Sequence, residues 1–205
     1  MKSLDKIVSA IENELDEKDQ IREAAIKSSR NIIRLCGNIT RSLHRNERSG
    51  SDLSELARRV SALRRLVKGH PEIEYAGYVQ SALQEYAEAR ILTYLLDEGD
   101  VPSPRAVGVG GVPYMLGLAD CVGELRRFAL NQLKSGDVDK ANISLEQMED
   151  IYSAMMRFDY PDAIIAMRHK QDVSRSLLEK TRGEVAIAAT AKNLTDKLEA
   201  GLRRS

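Results

Sequence analysis

The chain has no tryptophan, only 4% aromatic residues, two cysteines and five prolines among its 205 residues, and its formal net charge is zero. So few aromatics argue against a β-rich architecture, whose strands are filled by aromatic and β-branched side chains. No apolar run reaches the roughly 18 residues that a membrane-spanning helix needs, and the amino terminus lacks a signal-peptide pattern, so a soluble, cytoplasmic protein is expected. Cys36 and Cys121 sit inside helical patterns without CxxC or Cys/His spacing, which makes buried thiols the better reading. No histidine stands three residues after a glutamate, which removes the Glu-x-x-His signature of di-iron bundles. The Gly108-x-Gly110-Gly111 stretch has neither a preceding strand nor a following Lys-Ser/Thr, so it is read as a flexible connection and not a phosphate loop.

What remains is the material of amphipathic helices, with 42% hydrophobic and 30% charged residues in a chain long enough for one domain with a sizeable core. An all-α, single-domain bundle of about seven helices over residues 1–205 is expected. The first helix is predicted from about Leu4 to about Glu47, stopping at Arg48-Ser49-Gly50-Ser51, and the second from about Asp52 to Lys68, closed by Gly69. Pro71 suits the first turn of a third helix that carries Glu85 and Glu88 and ends near Gly99. Glycines and prolines make residues 99–113 a loop, and a fourth helix follows Pro113 and stops at Ser135-Gly136-Asp137. Ser144 with Gln147 reads as a capping box opening a helix to about Phe158. A long helical pattern then runs from Tyr160-Pro161 to about Glu184, and a last, peripheral one reaches the carboxyl terminus. In the fourth helix Leu118, Val122, Leu125 and Ala129 form the apolar side, and Gly117 and Gly123 suggest close helix approach.

The zero net charge hides a segregated layout. Residues 20–48 carry seven Lys/Arg against two acids, and residues 71–100 carry seven acids against Arg90. At about 100° per residue, Lys27, Arg30, Arg34, Arg41 and Arg45 share a stripe roughly 60° wide, a geometry that suits a phosphate backbone. His44 borders it, either as a further RNA contact or as a plain polar surface residue. A second basic run, Arg58, Arg59, Arg64, Arg65 and Lys68, has a weaker claim, and His70 and His169 are read as surface or capping residues.

Two carboxylate pairs stand out: Glu85 with Glu88, and Asp120 with Glu124. Their i,i+3 and i,i+4 spacing puts each pair on one helix face. Two helices could thereby bring four acids together, and close carboxylates repel unless a hard cation such as Mg2+ or Mn2+ neutralises them.

The segments Gln84-Glu85-Tyr86-x-Glu88-Ala89 and Tyr114-Met115-Leu116-Gly117-Leu118-Ala119-Asp120-x-x-Gly123-Glu124-Leu125 resemble the translin superfamily, and within it the Trax (translin-associated factor X) branch. The resemblance takes in Ser29-Arg30 through Leu43-His44-Arg45, Asn131 with Ser135-Gly136-Asp137-Val138-Asp139, and Arg168-His169-Lys170, so that it spans about residues 20–185. It implies a compact prokaryotic or archaeal-type member with a seven-helix fold, assembling into a hollow oligomer of eight subunits. It further implies a Mg2+-dependent endoribonuclease whose catalytic and metal-binding acids are Glu85, Glu88, Asp120 and, less directly, Glu124. Single-stranded or short duplex RNA is the implied partner, with Lys27, Arg30, Arg34, Arg41, His44, Arg45, Arg127 and Lys170 as its contacts. Relatives of the translin branch bind RNA or single-stranded DNA without these acids, which leaves a non-catalytic binding protein as the alternative. Pro113 departs from the polar residue common in relatives, and the loop before it is shorter than in animal Trax. Leu83, Leu92, Leu95 and Leu96 are candidates for the oligomer surface, although ordinary core burial is the expected fate of each one taken singly.

Overall fold

A computed structural model describes residues 2–47 and 50–202 and is entirely helical over them apart from short connections. Arg48, counted in the basic segment, lies outside the described residues. The helices are α1 (Lys2–His44), α2 (Gly50–Val67), α3 (Pro71–Glu74), α4 (Gly77–Glu98), α5 (Pro104–Val107), α6 (Gly111–Lys134), α7 (Val138–Met155) and α8 (Arg168–Leu202). Two of these are single turns. The chain divides into two compact units, residues 1–90 and 91–205, with the boundary inside α4.

In the first unit α1 packs on α2. The buried α1 residues Ala25, Ser29, Ile32, Cys36, Ile39 and Leu43 alternate steps of four and three, and Leu56, Val60, Leu63 and Val67 of α2 do the same. That alternation keeps one narrow seam of each helix on its neighbour, in the manner of shallow-angle helix pairing. Lys18 of α1 reaches Glu72 of α3 at 3.0 Å and ties the single turn down. The sequence predicts one helix from Pro71 to Gly99, but the chain breaks at Tyr75–Ala76 and restarts at Gly77. The Tyr75 N–H still bonds to Pro71 O at 2.9 Å as in a helix, and the ladder tightens at the next residue, where the Ala76 N–H donates to Ile73 O at 3.1 Å.

In the second unit α6, α7 and α8 pack mutually, with Ala129, Ala141, Leu145 and Val185 in contact at one end and Leu133 against them. The α6 stop is a Schellman turn: Gly136, at φ +80°, donates to Leu133 O at 3.0 Å and Asp137 donates to Gln132 O at 2.9 Å. Asp137 then caps α7, its Oδ1 accepting from the Lys140 N–H at 3.1 Å. The Ser144/Gln147 capping box is therefore not a helix start. Ser144 is buried inside α7, where its place in the packed face outweighs its capping preference. The expected loop 99–113 holds the single turn α5, capped by Ser103 Oγ, and Tyr114 Oη donates to Pro102 O at 2.6 Å to pin it. The two late helical patterns are one continuous α8 of 35 residues, which begins at Arg168 and not at the expected Tyr160-Pro161.

Candidate metal and nucleic-acid sites

The basic stripe survives folding as a solvent-facing feature. Lys27, Arg30, Arg34, Arg41 and Arg45 are all exposed. Lys27, Arg30, Arg34 and Arg41 lie roughly 170° around α1 from its buried seam, because a seam of alternating fours and threes leaves the opposite face to water, whereas Arg45, expected on the same helical stripe, falls in the turn just past the helix end at His44. Arg34 donates to Asn31 Oδ1 at 3.3 Å and Arg41 to Asn38 Oδ1, both one turn back, which orders the guanidinium groups without neutralising them. Lys27, Arg30 and Arg45 form no ion pair among the described residues. The same stripe turns acidic toward the amino terminus, where Asp5, Glu12, Asp16 and Glu23 are exposed. The positive track is thus bounded at Glu23, and its sign order matches the helix dipole. His44 is half-buried, so it borders the track and does not share its exposure. Of the second basic run, Arg58 and Arg59 both pair with Glu55, at 2.7 and 2.8 Å.

Glu85 and Glu88 are half-buried on α4, in the first unit. They act on Cys36 of α1, which is 1% exposed: burial pushes its thiol well above the usual range, and the negative charges of Glu85 and Glu88 push it further. A buried thiol facing two carboxylates stays protonated and inert. Neighbouring Tyr86 is also raised, first by burial, with Arg90 opposing.

Asp120 and Glu124 are half-buried on α6, in the second unit, above the buried face of Leu118, Val122, Leu125 and Ala129. Each is already engaged by a cation. Glu124 pairs with Arg127 of its own helix at 3.0 Å, and Asp120 Oδ1 takes a short contact from Lys170 Nζ of α8. Arg127 and Lys170, both expected on RNA, therefore sit on the acids. The Asp120–Lys170 pair borders a cavity of about 190 Å³ lined also by Gly123, His169, Ser174 and Leu177. A Cβ at Gly123 would meet nothing within 4 Å, so close helix approach does not explain this glycine; its missing side chain leaves the cavity open beside Asp120.

Spacing alone does not bring α8 to this cavity, since fifty residues separate Asp120 from Lys170; the signals in the sequence are the Arg168-His169-Lys170 segment of the resemblance and the helical phase of Lys170 with the buried Ser174, Leu178 and Thr181. Leu83, Leu92 and Leu95 are at most 7% exposed and Leu96 is half-buried, so these leucines take the core burial expected of each singly and do not form the oligomer surface. Exposed apolar residues lie instead on the first half of α1 (Leu4, Ile7, Val8, Ile11, Leu15) and the last part of α8 (Ile187, Leu194, Leu198, Leu202).

The donor chemistry suits a hard cation. All four acids offer oxygen, and Mg2+ usually takes one or two protein carboxylates while keeping waters and phosphate oxygens. Each helix supplies two. Among the described residues no group of three or more His, Cys, Asp or Glu side chains is placed to hold a metal, and no helix is long and apolar enough to cross a membrane.

Comparison with known proteins places these residues in context. The Translin family model matches residues 20–183. An uncharacterized protein of Methanocaldococcus jannaschii is 34% identical over 177 residues, covering 84% of this chain and 78% of its own length. The crystal structure of AfC3PO is similar at a TM-score of 0.80 and 30% identity, over 90% of this chain and 97% of that one. A complex of AfC3PO with duplex RNA gives a TM-score of 0.73 at 27% identity over the same shares. Apo-NeC3PO, at 20% identity and a TM-score of 0.80, over 88% of this chain and 96% of its own, shows the fold alone.

Proposed function

The chain belongs to the translin family, and from that premise we propose that it is a metal-dependent endoribonuclease that works as a closed homo-oligomer, with the basic stripe of α1 as its RNA contact and Glu85, Glu88, Asp120 and Glu124 as its candidate metal-binding acids. The observation that carries this reading is the partial burial of Glu85, Glu88, Asp120 and Glu124. Partial burial keeps these oxygens within reach of solvent while screening them less than surface groups, and hard oxygen donors suit a magnesium or manganese ion. Held there, the ion would supply Lewis-acid polarisation of the scissile phosphate. The chain's own share is then positioning: the acids accept hydrogen bonds from an attacking water, and Lys27, Arg30, Arg34, Arg41 and Arg45 grip phosphates without reading bases. That the similar AfC3PO is described in complex with duplex RNA supports an RNA partner here.

The oligomer follows from the exposed apolar residues on α1 and α8. A lone chain would leave Leu15 at 56%, Leu194 at 60% and Leu198 at 61% exposed. Burial against further copies stabilises such rows, and a closed ring of eight satisfies them without open ends.

A second reading, an RNA- or single-stranded-DNA-binding protein without cleavage, is favoured by one observation: Lys170 and Arg127 already neutralise the α6 acids. Incubation of a labelled RNA with Mg2+, beside a chelator and beside Asp120→Asn, separates the two. Cleavage lost in both controls supports the nuclease, and binding without any cleavage supports the second reading.

A further inference from the structure

We infer that Lys170 is a built-in counter-ion that occupies Asp120 until a divalent cation displaces it, so that the chain sets its own metal threshold. The inference rests on the metal reading of Asp120 given above. Lys170 Nζ makes its ion pair to Asp120 Oδ1 across α8 and α6, with side chains 23% and 30% exposed. Partial burial on both sides limits screening by salt, so the contact weighs more than a surface pair would.

The placement favours exchange over a permanent lock. Lys170 stands in the first turn of α8, beside the exposed His169. The adjoining cavity of about 190 Å³ gives its flexible four-carbon stem room to swing off the carboxylate. Gly123 keeps the α6 wall of that cavity bare. The contrast with Arg126 on the same helix as Asp120 is informative. Arg126 is 16% exposed and is held by two bonds to Glu184 and one to Thr181, a rigid fork that fixes α6 to α8 independently of Lys170. The helix pair therefore does not need Lys170 for its register, and the ammonium is available to compete. Because a cation and an ammonium cannot both sit on the same carboxylate oxygen, removing the ammonium strengthens cation binding, whereas a surface-solubility lysine would leave it unchanged.

The test is Mn2+ binding to the full chain, read from the EPR signal of the free ion, for the wild type, Lys170→Gln, Lys170→Met, Lys170→Arg and Asp120→Asn at matched oligomeric mass and helicity. The neutral variants are expected to bind Mn2+ about three- to tenfold more tightly than the wild type, with Lys170→Arg within about twofold of it. Lys170→Met preserves the apolar stem, so tightening in that variant alone supports the inference if the glutamine disturbs packing. Unchanged or weaker binding in both neutral variants, with Asp120→Asn still impaired, overturns the counter-ion role and leaves the metal reading standing. Mn2+ binding that is indifferent to Asp120 overturns the metal reading and this inference with it.

Discussion

Arg126 of α6 closes a two-pronged ion pair on Glu184 of α8, Nη1 to Oε2 at 2.8 Å and Nη2 to Oε1 at 2.9 Å. Its Nη1 also donates to Thr181 Oγ1 at 2.6 Å, and that hydroxyl in turn donates to Leu177 O at 2.7 Å. Planar guanidinium groups suit this arrangement, which gives directional bonds where a lysine would give a point charge. Arg126→Lys should therefore cost about 1 kcal/mol and Arg126→Ala about 1–2 kcal/mol of stability, both figures being held low by the partial exposure of Glu184. Urea denaturation in a double-mutant cycle with Glu184→Gln checks this; a coupling near zero would show that the fork does not join the helices.

The thiol of Cys36 gives a signed pH dependence. Burial, and then the charges of Glu85 and Glu88, raise its folded-state pKa. Below the free thiol's pKa of about 8.5 both states keep the proton and stability does not depend on it. Above that pH only the unfolded chain ionises, so this group removes about 1.4 kcal/mol of stability per pH unit until the folded pKa is reached. Cys36→Ala should be slightly less stable at neutral pH, yet decline less steeply between about pH 9 and pH 10 by roughly that slope. Parallel profiles for the two proteins would refute the cause.

Binding should depend on the α1 track. Charge reversal of Arg34 and Arg41 to Glu is expected to weaken RNA binding to all sequences alike and to reduce the salt slope by roughly 0.7 for each single-strand phosphate that is no longer neutralised. Fluorescence anisotropy over a salt series measures both quantities. An unchanged slope would remove α1 from the interface.

The acids should divide from the track. Glu85→Gln, Glu88→Gln and Asp120→Asn are each expected to abolish cleavage while leaving RNA affinity equal or slightly higher, because a repelling charge has gone. Glu124→Gln should lose less, since Glu124 is bound to Arg127 on its own helix. Binding measured in Ca2+ and cleavage in Mg2+ separate the effects, and full activity of the Asp120 variant would move the chemistry elsewhere.

Assembly should depend on the exposed apolar residues and not on α4. Leu194→Asp with Leu198→Asp is expected to lower the mass seen by light scattering toward one chain of 22.8 kDa without loss of helicity. Unaltered mass would show that α8 does not join the copies.

The sequence by itself determined the helical class and the faces of the long helices. These depend on periodicity, and a period of about 3.6 residues is written into any stretch long enough to display it. The opposition of the basic stripe to the Ile32–Cys36–Ile39 seam is such a property, as are the burial of both cysteines and the stop at Ser135-Gly136-Asp137. Only tertiary structure decided the break at Tyr75–Ala76, the continuity of α8, the burial of Ser144, and the seating of Lys170 on Asp120. Each of these turns on a partner far along the chain or on competition between a local preference and packing. A spacing rule reports which face a side chain occupies, whereas the other helix and the charge that meet it there are fixed only when the chain folds.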